Sequence, residues 1–201
     1  MDLNSVAEKL NSHGFHAQVL SSAAKARAEV LRLIPEHATV GVGGSMTVLT
    51  MGLHESLAEE GRTVYWHWLM PVEKREVAQE LAHKADFYLV SANGVTANGE
   101  LLYMDSKSNR TGTILYGPKK VIVVVGRNKI VADEVEGLNR IKTVACPQNA
   151  RRLNLDTPCA TLNHCTDCRS PQRMCKAFVR IMEPPGGRDF HVLLVDDTLG
   201  Y

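Results

Sequence analysis

The segment Val121-Ile-Val-Val-Val125 places five β-branched residues in succession. Such side chains pack well on a pleated surface. A run without polar alternation is what a strand covered on both faces requires. Elements able to supply that cover alternate along the chain. Leu3, Val6, Ala7 and Leu10 share one helical face, and Gly14 stops that helix. Phe15–Leu20 reads as a strand. Ser21 or Ser22 caps a helix that Pro35 ends, and Thr39–Val42 reads as a buried strand. Thr47–Glu60 reads as one helix closed by Gly61, Thr63–His67 as a strand, and Pro71 opens a helix to about Lys84. Asp86–Ser91 is a further strand, and Asn98-Gly99 between short apolar segments predicts a tight hairpin turn. Short helices are predicted at Asn109–Tyr116, Ala132–Lys142 and Pro147–Leu153. Ala177–Met182 and Phe190–Val195 flank Pro184-Pro185-Gly186-Gly187 and read as a C-terminal β-hairpin. The alternation predicts an α/β fold: an open, mostly parallel sheet with helices on both faces, a C-terminal hairpin and a cysteine-rich loop.

At 201 residues the chain reads as a single domain, 1–201, with 157–176 a cysteine-rich segment. A domain of this size needs neither disulfides nor a metal merely to fold. Net charge is +1, so nothing global favours nucleic acid or an anionic membrane. The N-terminus lacks the basic and apolar regions of a signal peptide, and no apolar run approaches the ~20 residues of a membrane span. These features place the protein in the cytoplasm, where clustered cysteines read first as metal ligands or redox thiols.

Gly41-Val-Gly-Gly-Ser-Met-Thr47 joins a predicted strand to a predicted helix. Gly43 and Gly44 allow close backbone approach, Ser45 and Thr47 add hydroxyls, and a helix N-terminus offers free N–H groups. The loop reads as a site for an anionic small molecule; a tight turn capped by Ser45 or Thr47 is the plainer reading. It is neither a P-loop nor a G-x-G-x-x-G fingerprint. Asn93, Asn109 and Arg110 in the central segment are further candidates for a polar or anionic ligand, against a hairpin with a solvated tip. Lys129, after Gly126-Arg127-Asn128, is placed to reach the same edge. Trp66 and Trp68 share one face of a strand and would pack against a helix or a partner subunit, which leaves a homo-oligomer open.

Four of the five cysteines, Cys159, Cys165, Cys168 and Cys175, fall in C-x5-C-x2-C-x6-C spacing, while Cys146 stands apart. An iron–sulfur cluster needs four thiolates at flexible spacing. Structural zinc usually takes two short pairs, and only Cys165 and Cys168 form one. Free or redox-active thiols are the third reading.

VGVGGSMT at 40–47, ANGVTANGEL at 92–101, YGPKKVIVVVGRNKIV at 116–131 and TPCATLNHCTDCRSPQRMC at 157–175 resemble the lactate-utilisation (LUD) domain family, which includes LutC-type proteins. The resemblance implies a fold of the NagB/RpiA/CoA transferase-like superfamily. It also implies an accessory or redox subunit in L-lactate or related 2-hydroxyacid utilisation, beside other proteins of that process. The redox setting tips the cysteines toward iron–sulfur. Sugar-phosphate isomerases of the superfamily carry an aspartate where this chain has Asn93. Class I CoA transferases carry a glutamate in Ser-Glu-Asn-Gly, where this chain reads Ser91-Ala92-Asn93-Gly94. An amide is no general base and alanine no nucleophile. Glu100 and Asp105 are nearby substitutes, so a sugar-phosphate isomerase or acyl-CoA-processing enzyme remains an alternative, as does a structural zinc-binding subunit. Whether the chain is catalytic stays open.

Overall fold

The computed structural model describes residues 1–201, in which ten strands form two sheets. The strands are β1 (His16–Leu20), β2 (Thr39–Val42), β3 (Thr63–Tyr65), β4 (Phe87–Val90), β5 (Gly94–Thr96), β6 (Leu101–Asp105), β7 (Lys120–Gly126), β8 (Ile130–Val131), β9 (Ala177–Ile181) and β10 (Asp189–Val195). The helices are α1 (Leu3–Ser12), α2 (Ala23–Leu33), α3 (Met46–Thr50), α4 (Leu53–Glu59), α5 (Arg75–His83), α6 (Asn109–Tyr116), α7 (Glu134–Arg140), α8 (Cys146–Arg152) and α9 (Pro158–Leu162). The main sheet runs β1-β10-β7-β4-β2-β3, every pairing parallel. A smaller sheet runs β8-β5-β6-β9.

The β-branched run explains this layering. Val121, Val123 and Val125 point to one face, where Val6 and Leu10 of α1, Ile114 of α6 and Val95, Leu101 and Tyr103 of the small sheet cover them. Ile122 and Val124 point to the other, beneath Val30 of α2, Val48 of α3 and Leu53 and Leu57 of α4. All five are fully buried, each contributing roughly 1.5–3 kcal/mol relative to exposure. Both faces are therefore covered, but one of them partly by a second sheet and not by helices alone.

The hairpin turn at Asn98-Gly99 forms as expected, joining antiparallel β5 and β6 with Gly99 at φ +80°. The C-terminal hairpin does not. β9 pairs antiparallel with β6 in the small sheet, whereas β10 enters the main sheet between β1 and β7. Phe190 and Val192 to Val195 are buried on both faces, a demand that only an interior parallel strand meets. The helix expected over Thr47–Glu60 is two helices, broken at Gly52 with φ +61°. Those expected at Ala132–Lys142 and Pro147–Leu153 are joined instead by a π-helical stretch, Ile141–Ala145. Pro147 has no N–H to give and its ring crowds the carbonyl four residues back, so the preceding turn opens. No helix is long and apolar enough to cross a membrane.

The chain leaves β2 outward to β3, then returns across β2 to β4 and continues through β7 in the opposite direction. Loops that leave the carboxyl ends of β2 and β4 thus diverge, and a crevice opens between them. In open α/β sheets this reversal point is the usual ligand edge.

Candidate functional site

A cleft of about 1060 Å³ occupies that crevice. Three loops build its floor: Gly43-Gly44-Ser45 after β2, Ser91-Ala92-Asn93 after β4, and Arg127–Lys129 after β7. Of the residues expected to bind a ligand, Gly44, Ser45, Asn93, Asn109 and Arg110 line it, and Gly43 and Thr47 do not. Gly43 is a packing glycine. A Cβ there would stand 2.9 Å from the Tyr88 hydroxyl, 3.0 Å from Val90 and 3.1 Å from Arg110. Ser45 caps α3, accepting from the Val48 N–H at 3.2 Å. With α3 only five residues long, the helix end is a minor source of positive potential.

The positive charge comes from elsewhere. Lys129 is 3% exposed and lines the cleft. Its Nζ donates to Thr47 Oγ1 at 2.9 Å and Ser91 Oγ at 3.1 Å. Both hydroxyls spend their own hydrogens on backbone carbonyls, Thr47 on Leu199 at 3.1 Å and Ser91 on Ala92 at 3.3 Å. No carboxylate pairs with the amine. Burial, with Arg140 and Arg110 nearby, pulls its pKa down to about 7. Arg140 spends its guanidinium on the carbonyls of Asn93 at 2.7 Å and Asn128 at 3.0 Å, so it ties the β4 and β7 loops together without being neutralised.

Arg110 is committed differently. Nε and Nη2 form a fork on Asp105 Oδ1 at 3.0 and 2.9 Å, and Nη2 also reaches Asn93 Oδ1 at 2.9 Å. Asp105 Oδ2 accepts from the Thr111 N–H at 2.8 Å. Asn93 Oδ1 takes a second bond from the Met104 N–H at 2.9 Å. Two donors on one oxygen fix the amide's orientation and leave its NH₂ for another acceptor. The cleft wall adds Arg75, Lys107 and Arg152 against Glu76. His67, also on the wall, has its pKa lowered by burial and then by Arg75 and Lys107, which favours the neutral imidazole.

One side of the cleft is an aromatic and cationic stack. Trp66 is fully buried and stacks on Trp68 at 5.2 Å, and Arg152 lies 4.2 Å over Trp68. The pair thus packs inside this chain, in and beside a 3₁₀ turn, His67–Leu69. Arg152 also donates to the Tyr201 hydroxyl at 3.0 Å, which donates to Asn149 at 2.8 Å. The final residues are fastened through Asn128, whose Oδ1 accepts from Leu199 N–H at 3.0 Å while its Nδ2 donates to Gly200 O at 3.1 Å.

Glu100 stands off the cleft, bonded to Thr96 Oγ1 at 3.1 Å. The five cysteines are free thiols. Cys146 does not stand apart: its thiol meets that of Cys175. Their contact and Arg173 hold the Cys175 thiol down, while the Cys146 thiol is pushed up. Cys165 Sγ accepts from the Asp167 N–H at 3.3 Å, and Cys159 lies 3.4 Å from Thr157 Oγ1. The donor chemistry suits a thiolate metal centre, but no three His, Cys, Asp or Glu side chains are grouped to hold an ion.

Several of these residues carried little signal in sequence. Arg140, Trp68, Arg152 and Tyr201 belong to separate segments and meet only through folding. Lys129 had one cue, its position just past a strand buried on both faces.

The fold has a known counterpart. No curated protein matches the chain. A crystal structure of a DUF162 family protein from Deinococcus radiodurans is similar at 14% identity, with a TM-score of 0.56, covering 96% of this chain and 95% of that one. That likeness speaks for the fold alone. The family model of the LUD domain matches residues 3–195, which takes in both sheets and the three loops named above as the cleft floor: the chain belongs to the LUD domain family.

Proposed function

We propose that this LUD-domain protein serves the utilisation of L-lactate or a related 2-hydroxyacid, alongside other proteins of that process, by binding a small carboxylate-bearing anion in the cleft. The observation that carries the reading is Lys129, buried at the floor with two hydroxyls and no carboxylate partner. Beside it Arg140 is unneutralised and the Asn93 NH₂ is free. A buried excess of positive charge is costly by itself and is relieved by an incoming anion. The Trp68 and Arg152 stack shapes the side wall. The isomerase and acyl-CoA alternatives need a carboxylate free to act near Asn93, yet Asp105 has both oxygens engaged and Glu100 lies outside the cleft.

The test is calorimetric titration and thermal shift with L-lactate, pyruvate and 2-hydroxybutyrate. At least one should bind saturably and stabilise the protein, and Lys129→Met should lose the effect while its circular dichroism is unchanged. Absence of binding by all three, or equal binding by the variant, defeats the reading.

A metal centre at Cys159, Cys165, Cys168 and Cys175, iron–sulfur before zinc, is a second reading, favoured by four free thiols of suitable chemistry in one segment. It requires the loop to draw those thiols together. Anaerobic reconstitution followed by iron, sulfide and zinc analysis tests it; less than one metal ion per chain under every condition would dismiss it.

A further inference from the structure

We infer that Lys129 is a nucleophile, and that its Nζ forms an imine with the carbonyl carbon of a 2-oxo acid bound in the cleft. This rests on the reading of the cleft as a carboxylate site and deepens it by naming the substrate class. A 2-oxo acid is the two-electron oxidation product of a 2-hydroxyacid, so the same cleft chemistry admits both.

Hydrogen-bond accounting gives the first reason. Thr47 and Ser91 hydroxyls donate to carbonyls, so both must accept from Nζ. A neutral amine satisfies the two with its two N–H bonds and is left with its lone pair. The side chain is 3% exposed, and it lines the cleft, where a ligand can reach it. The second reason is electrostatic. The charged groups facing the amine are Arg140 of α7 and Arg110 of α6, the latter bound to Asp105 of β6. None is a carboxylate able to hold a proton on Nζ by direct pairing. Burial and these two cations bring the amine's pKa to about 7, so near neutral pH it is half deprotonated, the condition a lysine nucleophile needs. The third reason is placement. Asn93 presents an oriented NH₂ from the loop after β4, the loop that also supplies Ser91. A carboxylate next to a carbonyl carbon is thereby given a donor beside the nucleophile.

The step balances without an added oxidant or reductant. The Nζ lone pair forms the new N–C bond as the carbonyl π pair moves to oxygen. A proton passes from nitrogen to that oxygen to give the carbinolamine. The C–O bond then breaks as the nitrogen lone pair closes the C=N bond, and the departing hydroxide takes the remaining N–H proton and leaves as water. One amine and one carbonyl become one imine and one water.

Reductive trapping decides the matter. The intact protein is incubated with pyruvate and sodium cyanoborohydride, then analysed by intact mass and peptide mapping. The expected result is a single saturable carboxyethyl adduct on the Lys129 peptide, faster at pH 8 than at pH 6, absent with L-lactate and absent in Lys129→Arg. Adducts scattered over surface lysines with none on Lys129 overturn the inference. So does the absence of adduct when pyruvate still stabilises the protein, a result that leaves anion binding intact. If pyruvate neither stabilises nor is trapped, and the two hydroxyacids do not bind either, both readings fall. Because the mapping is made on the chain that retains Lys129, misfolding of the arginine variant would not obscure the outcome.

Discussion

Lys129 sits in a place where an ammonium opposes folding. In the unfolded chain it has the ordinary lysine pKa of 10.5, and in the fold about 7. Between those values the unfolded state holds the extra proton, so this residue makes stability rise with pH across that window. Below about pH 7 both states are protonated and the penalty is complete. Lys129→Met should therefore be more stable than the parent, with the advantage largest at pH 6 and much smaller at pH 9. Urea melts of both proteins at the two pH values measure it, and a pH-independent difference would contradict the assignment. Arg110 and Arg152 give a contrast in magnitude. The Arg110–Asp105 pair is only 11% exposed on each side. Arg110→Ala strands Asp105 and should cost about 3–5 kcal/mol. Arg152 is exposed, and its loss forfeits chiefly the stack on Trp68, about 0.5–1 kcal/mol. Equal losses for the two would refute the contrast. At this scale the sequence was informative about residue type and silent about partners. Ser45 and Thr47 were both visible as candidate caps; that Ser45 is the one that caps, while Thr47 supports a lysine 82 positions away, was not.

Strands with buried faces were the most legible elements, because a run such as β7 has a single physical explanation. Helix breaks were not. Glycine in a helix interior costs only about 1 kcal/mol, so Gly52 does not announce a break by itself. The left-handed turn is supported from outside, by Arg27 donating to the Met51 carbonyl. The Pro-Pro-Gly-Gly segment invited a hairpin because a turn was all that could be seen; β9 and β10 separate because their burial differs. Close approach between elements gives a further test. Gly41 of β2 lies against α5, and a Cβ there would come within 2.3 Å of the Ala82 carbonyl oxygen and 2.7 Å of Ala82 Cα. These are backbone atoms, so the helix itself must move. Gly41→Ala should destabilise by about 3 kcal/mol, measured by denaturant unfolding, and a neutral substitution would show that α5 is not seated so tightly.

At the scale of the molecule, a net charge of +1 conceals a locally basic cleft. Anion binding there should weaken when salt rises from 50 to 500 mM, by less than exposed charges would show, since Lys129 is buried. Calorimetry at the two salt concentrations checks this. The last residues complete the floor: Leu199 receives the Thr47 hydroxyl, and Gly200, at φ +58°, lies against Thr47 so closely that a Cβ would stand 2.8 Å from Oγ1. Removing residues 199–201 should abolish ligand-induced stabilisation while the sheet signal in circular dichroism persists. Retained stabilisation would mean that the floor holds without them.

What the amino-acid sequence determined by itself is local. Periodicity and β-branching dictated buried parallel strands, and the Asn-Gly pair dictated a turn, because these follow from the chain's own geometry within a few residues. The motif segments likewise carried the family. Only the tertiary structure decided which strands share a sheet, that Cys146 meets Cys175, and that Lys129 is the cleft's buried cation. Those outcomes depend on burial and charge contributed by residues far apart in the chain, and such terms take their values only when the parts are packed together.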